Sequence, residues 1–172
     1  GESVMVHRKR ILGLIALPLA AGMLTLTASP AQAETEAAAS HARILRPINF
    51  AMLLEMDFGA VVVGAGGGTV TLDPQSGTRD CSTLTCTGSH SVARLVLSGS
   101  DATVTVTYDP SFIITGPGLP MTVAPLFPGG SGAQVQLTGG SATIDFGAAL
   151  TVAAGQMDGA YTGDFTVNVN YN

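Results

Sequence analysis

The sequence predicts an all-β chain, folded as an antiparallel sandwich or barrel. Eight to ten short apolar segments recur at spacings of about 8 to 12 residues, and Gly, Pro or Asp punctuates them. Beyond the N-terminal region no window holds a 3.6-residue apolar period, so helices are not expected. The stretch "YTGDFTVNVNYN" alternates without a break. Tyr161, Gly163, Phe165, Val167, Val169 and Tyr171 fall on one face, and Thr162, Asp164, Thr166, Asn168, Asn170 and Asn172 on the other. Gly, Ala, Val, Thr and Ser dominate the composition, as suits strands and tight turns.

The first segment reads as a leader. "HRKR" (His7 to Arg10) is a basic cluster, an apolar run extends from Ile11 to about Ala28, and "SPAQA" places Ala31 and Ala33 in a small-x-small pattern. A secretory signal cleaved between Ala33 and Glu34 is expected, with Gly1 to Val4 lying upstream of a plausible start at Met5. The run could also just span a bilayer, but Pro18 and the cleavage-like tail argue against an anchor. No Cys near the cleavage site offers a point for lipid attachment. Removing 33 of 172 residues leaves 139, enough for one domain with a core. In that remainder four arginines face eleven carboxylates, a net charge of −7, and there is no lysine. Such a chain has no basic footprint for nucleic acid or an anionic membrane.

The elements follow in order. "ETEAAASHAR" (Glu34 to Arg43) is small and polar and reads as an extended arm. "ILRPINF" (Ile44 to Phe50) is a strand that Pro47 confines to an edge or bulge. "MDFGAVVVG" (Met56 to Gly64) is a buried strand, "GAGGG" turns the chain, and "TVTLDP" (Thr69 to Pro74) leaves in alternation. Gln75 to Ser91 is a polar loop or hairpin. "SVARLVLSG" follows with Val92, Leu95 and Leu97 as its apolar positions, then "ATVTVTYDP", "SFIITG", "MTVAPLF", "AQVQLTGG", "ATIDFG" and "ALTVAAG". The alternating stretch from Tyr161 to Tyr171 is a strand about twice the usual length. "MDFGAVVVGAG" and "IDFGAALTVAAG" echo each other weakly and could be strands that face one another.

Cys81 and Cys86 enclose "STLT", most simply as a disulfide pinning a hairpin tip, with a chain-entropy stabilisation of about 2 kcal/mol. A metal site would need further ligands, and beyond the leader only His41 and His90 remain. No metal or other cofactor is expected. "DFG" at Asp57 and Asp145 lacks the lysine and Gly-rich loop of a kinase, and reads as a buried Phe before a Gly at a bend or bulge. "GAGGGT" at Gly64 has Thr69 where a dinucleotide fingerprint needs Gly, so it is an inter-strand turn. In "GSHS" around His90 the adjacent residues would point apart on a strand. "SGSD" (Ser98 to Asp101) is a hairpin turn. No constellation supports an enzyme.

A long, regular, apolar strand cannot be left as an open edge without inviting aggregation. "ILRPINF…MDFGAVVVG…GGTVTLDP", "TYDPSFIITGPG" and "DFGAALTVAAGQMDGAYTGDFTVNVNYN" together resemble a bacterial pilin-like "domain of unknown function" family. That family is similar in pattern to spore-coat-U-type and other fimbrial subunits of the chaperone–usher pathway. The resemblance spans Ile44 to Asn172, and its most specific part is the alternation from Gly159 to Tyr171. It implies an immunoglobulin-like sandwich lacking one strand, which a periplasmic chaperone and then a neighbouring subunit's arm would supply. It implies a pairing strand at Tyr161, Gly163, Phe165, Val167, Val169 and Tyr171, and an outer-membrane usher. The expected location is the periplasm and then the cell surface of a Gram-negative bacterium. A donor arm usually carries bulky residues, whereas Ala37 and Ala39 are small. The donor segment could instead include Ile44, Ile48 and Phe50, or the domain could complete itself. A non-polymerising secreted adhesin is the alternative, although the lack of Trp gives poor stacking surface for sugars. An outer-membrane barrel would need longer strands.

Overall fold

The computed structural model describes residues 39–172, so the expected leader and the first half of the arm, with Ala37, lie outside the described residues. Ala42–Asn172 forms one compact unit. Every strand pair is antiparallel, and the described residues contain no helix. The fold is an antiparallel β-sandwich.

Twelve strands form it: β1 (Asn49–Leu54), β2 (Ala60–Val62), β3 (Gly68–Leu72), β4 (Arg79–Asp80), β5 (Thr85–Thr87) and β6 (Ala93–Ser98), then β7 (Thr103–Tyr108), β8 (Phe112–Ile114), β9 (Met121–Leu126), β10 (Ala133–Gln136), β11 (Ser141–Val152) and β12 (Val167–Tyr171). The larger sheet has the order β1-β6-β11-β3-β4, and the β8–β9 pair joins it through β11. The second sheet is β10-β7-β12, and β2 and β5 form a separate two-stranded ribbon.

Alternation decides which side chains are buried. Ala93, Leu95 and Leu97 of β6 face inward while Arg94 and Ser98 face out, and Val104 and Val106 of β7 meet them from the opposite layer. With Leu137, Ile144 and Phe146 they make one apolar cluster. Val70, Met121, Val123, Ala148, Leu150 and Val152 belong to a second. The long strand β11 contributes to both. Its first half pairs with β6, and its second half is flanked by β3 and β9. At its centre Gly147 packs directly on the Leu72 carbonyl and Pro74, leaving no room for a side chain.

The structure corrects several expectations. "ATIDFG" and "ALTVAAG" are one strand, because the close approach at Gly147 lets the ladder continue where a break was expected. "MDFGAVVVG" is not a buried strand: apart from an isolated bridge between Asp57 and Ser91, only Ala60–Val62 pair, and Ala60 and Val62 are exposed. Ile44–Ile48 are irregular, and the edge strand instead runs through residues 49–54. Ser98–Asp101 is not a hairpin turn, because it carries the chain from β6 in one layer to β7 in the other. The two echoing stretches share the second cluster through Val61, Val63, Leu150 and Val152, yet they do not pair with each other. Nor does the Cys81–Cys86 disulfide pin a hairpin tip. It ties the end of β4, in the large sheet, to β5 in the ribbon.

Candidate functional site

The sandwich is open along one side. A cleft of about 1240 Å³ runs between the chain at residues 55–63 and the chain at residues 156–165. Its floor is apolar core: Ile114, Met121, Leu150 and Val152 line it.

The first wall is held from behind. The Asp57 carboxylate accepts the Gly59 N–H at 2.8 Å, and Asp57 exchanges backbone hydrogen bonds of 2.9 Å with Ser91. Ser91 Oγ donates to the Glu55 carbonyl at 2.7 Å. Arg79 Nη1 donates to the Phe58 carbonyl at 2.7 Å, and its other contacts are the carbonyls of Thr87 and Gly88. In the ribbon Cys86 lies opposite Val61, so the disulfide reaches the wall through one strand.

The second wall is the first half of the alternating stretch. Strand geometry was expected from Tyr161 to Tyr171, but the ladder covers only Val167–Tyr171. Upstream a single bridge joins Thr162 to Thr115. Gly163 lies against the Ile113 carbonyl and the Ile114 backbone, and the approach leaves no space for a Cβ there. Tyr161 anchors this half: its hydroxyl accepts the Gly118 N–H at 2.8 Å and donates to the Met157 carbonyl at 2.9 Å. Phe165 stacks on Phe112 at 5.4 Å and tilts against Phe146 at 5.5 Å.

The face expected to be buried is half-buried at Tyr161, Phe165, Val167, Val169 and Tyr171, and the other face is exposed throughout. β12 pairs with β7 on one edge, and among the described residues nothing pairs with the other. Tyr171 closes the far end: its hydroxyl accepts the Ser100 N–H at 2.7 Å and donates to the Arg46 carbonyl at 2.8 Å. The candidate donor residues separate. Ile48 packs into this domain's own first cluster, and Phe50 sits in β1 opposite Leu97. Ile44 remains 95% exposed, and Ala39 is exposed.

The most informative residues are Phe50, which the sequence offers only as a candidate donor, and Met52, which it does not single out. Phe50 and Met52 pair across the ladder with Leu97 and Leu95, and cross-strand partners share a face. Leu97 is 0% and Leu95 3% exposed, yet Phe50 is 55% and Met52 54% exposed. The inner face of β1 therefore has no cover from the opposite layer among the described residues. An apolar run such as "FAMLL" gives no sign of this, because cover depends on the partner sheet rather than on the run itself. Among the described residues no three His, Cys, Asp or Glu come together as a metal-holding group.

Residues 48–171 match a protein family described as "Domain of unknown function (DUF4402)". No curated protein and no solved structure matches the chain.

Proposed function

We propose that this chain, which belongs to the DUF4402 family, is an exported structural subunit of a surface fimbria, whose open seam receives a β-strand from another polypeptide. The observation that carries the reading is the uncovered inner face of β1, whose Met52 also lines the cleft, together with the unpaired edge of β12. A strand laid over that face would cover Phe50 and Met52. Each large apolar side chain so buried contributes about 1.5–3 kcal/mol. The cleft, at about 1240 Å³, exceeds the usual range of small-molecule pockets and is open along its length. Backbone edges and alternating pockets are the recognition mode of β-strand addition.

On this reading a periplasmic chaperone strand fills the seam first, an outer-membrane usher directs exchange, and a related subunit's arm replaces the chaperone. The fibre would serve adhesion or biofilm formation at the cell surface. The test is surface material sheared from cells and run unboiled on a gel. A ladder containing this chain is expected. It should be lost when residues 34–42 are deleted or when Phe165→Asp puts a charge in the second wall. A ladder that survives both changes would sink the proposal.

A further inference from the structure

We propose that the seam is built for a strand of a different polypeptide, with bulky alternating apolar residues flanked by lysine or arginine; this rests on the reading of the seam as a strand receptor. Four exposed carboxylates line it, Glu55 and Asp57 on the first wall and Asp158 and Asp164 on the second. No Lys, Arg or His is among its lining residues. Like charges on two walls repel, and their field extends about 8 Å at physiological salt. A cationic occupant turns that repulsion into attraction and speeds encounter. The floor at Ile114, Met121, Leu150 and Val152 needs large side chains to fill it.

This chain does not carry such a strand. Beyond the expected leader it has four arginines and no lysine. Arg79 is engaged by the three carbonyls behind the first wall, and Arg94 pairs with Asp145 through two hydrogen bonds of 2.7 and 2.8 Å. The Arg46 backbone is fixed at both ends, its N–H donating to Ser100 Oγ at 2.7 Å and its carbonyl accepting from Tyr171. Arg43 donates to the Asp101 carbonyl at 2.7 Å. The arm that precedes it, "ETEAAASHA", offers Glu34, Glu36 and alanines. Its carboxylates have the wrong sign for this seam and its side chains are too small for the floor. A second copy's arm is therefore a poor occupant, and charge complementarity selects another chain.

The exported chain would be titrated with three synthetic peptides of about a dozen residues, a length that suits one strand. One is residues 34–45 of this protein. The second alternates leucine or valine with threonine and has lysine at both ends, and the third replaces those lysines with glutamate. The lysine-flanked peptide should bind about tenfold more tightly than the glutamate-flanked one, which corresponds to about 1.4 kcal/mol. The advantage should shrink in about 0.5 M salt, where charges are screened within a few ångströms. It should shrink likewise in the shape-preserving Asp158→Asn, Asp164→Asn double variant, and the 34–45 peptide should bind no better than the glutamate-flanked one. Equal binding of the two designed peptides at low salt, or tightest binding of the 34–45 peptide, would overturn the charge inference and leave the strand-receptor reading standing. Failure of every peptide to bind would overturn the strand-receptor reading and this inference with it.

Discussion

The two apolar clusters are made of similar side chains and closed in different ways. The cluster around Leu97, Val106 and Phe146 lies between two layers, β6-β11 on one side and β10-β7-β12 on the other. The cluster around Val123, Ala148 and Leu150 has a sheet on one side only. Across from it stand the β2–β5 ribbon and the segment at residues 156–165, with the cleft between them. Closure here is a matter of backbone pairing rather than of how apolar the sequence is. One strand, β11, runs through both environments and carries Phe146 in the closed region and Leu150 in the open one.

The largest effects should separate these regions. Phe146 is fully buried and contacts the rings of Tyr108, Phe127 and Phe165, so Phe146→Ala should cost about 3–5 kcal/mol in urea unfolding. Leu150→Ala should fall near the lower end of its range, about 2 kcal/mol, because water in the adjoining cleft can occupy the space. A Leu150 cost equal to that of Phe146 would break the comparison. Next comes the double change Cys81→Ser, Cys86→Ser, expected to cost about 2 kcal/mol from the short loop it opens. Hydrogen exchange should then speed up at residues 58–63, with the β6 and β7 amides unchanged at low denaturant.

The closed region was the legible one. The alternation in "ARLVLS" and "TVTVTY" sets which residues face inward, and the structure buries Leu95, Leu97, Val104 and Val106. The half-burial of Phe165, Val167, Val169 and Tyr171 also follows the expected parity. What periodicity could not supply was pairing between distant segments. Whether Ser98–Asp101 turns back within a sheet or crosses to the other depends on which strand has already taken the edge of β6, and β1 and β11 hold both. The exposure of Phe50 was hidden for the same reason, since its alternation is correct and only its cover is missing. The acidic lining comes from residues about 100 positions apart in the chain, and single carboxylates in separate turns carry no shared signal.

Smaller effects should come from the two tyrosine hydroxyls that fasten the alternating stretch. Tyr171→Phe leaves the Ser100 N–H and the Arg46 carbonyl without their partner and should cost about 1–2 kcal/mol. Tyr161→Phe removes the matching bonds to Gly118 and Met157. Its cost should be lower, toward about 1 kcal/mol, because water in the cleft can reach the freed groups. The pair is best read by thermal melts of both variants in one buffer. If Tyr161→Phe proves the more damaging, the open region is held more tightly than the closed one.

The smallest expected effect is a test of acid response on the side away from the comparison. Asp73 follows β3 directly, and its Oδ1 accepts the N–H groups of Ser76 and Gln75 at 2.8 and 2.7 Å. These backbone donors favour the charged carboxylate and hold its pKa below the ordinary 3.8. A group whose pKa is lowered by folding stabilises the fold above its unfolded value, and that contribution fades as the pH drops through the folded value. Asp73→Asn keeps an acceptor oxygen but loses the charge. The variant's urea midpoint should therefore lie slightly below that of the parent from pH 7 to pH 5, and the gap should narrow only below about pH 4. A gap that stays constant into acid would mean that the turn from Asp73 to Thr78 depends on geometry alone. The charge would then be incidental to the β3–β4 junction.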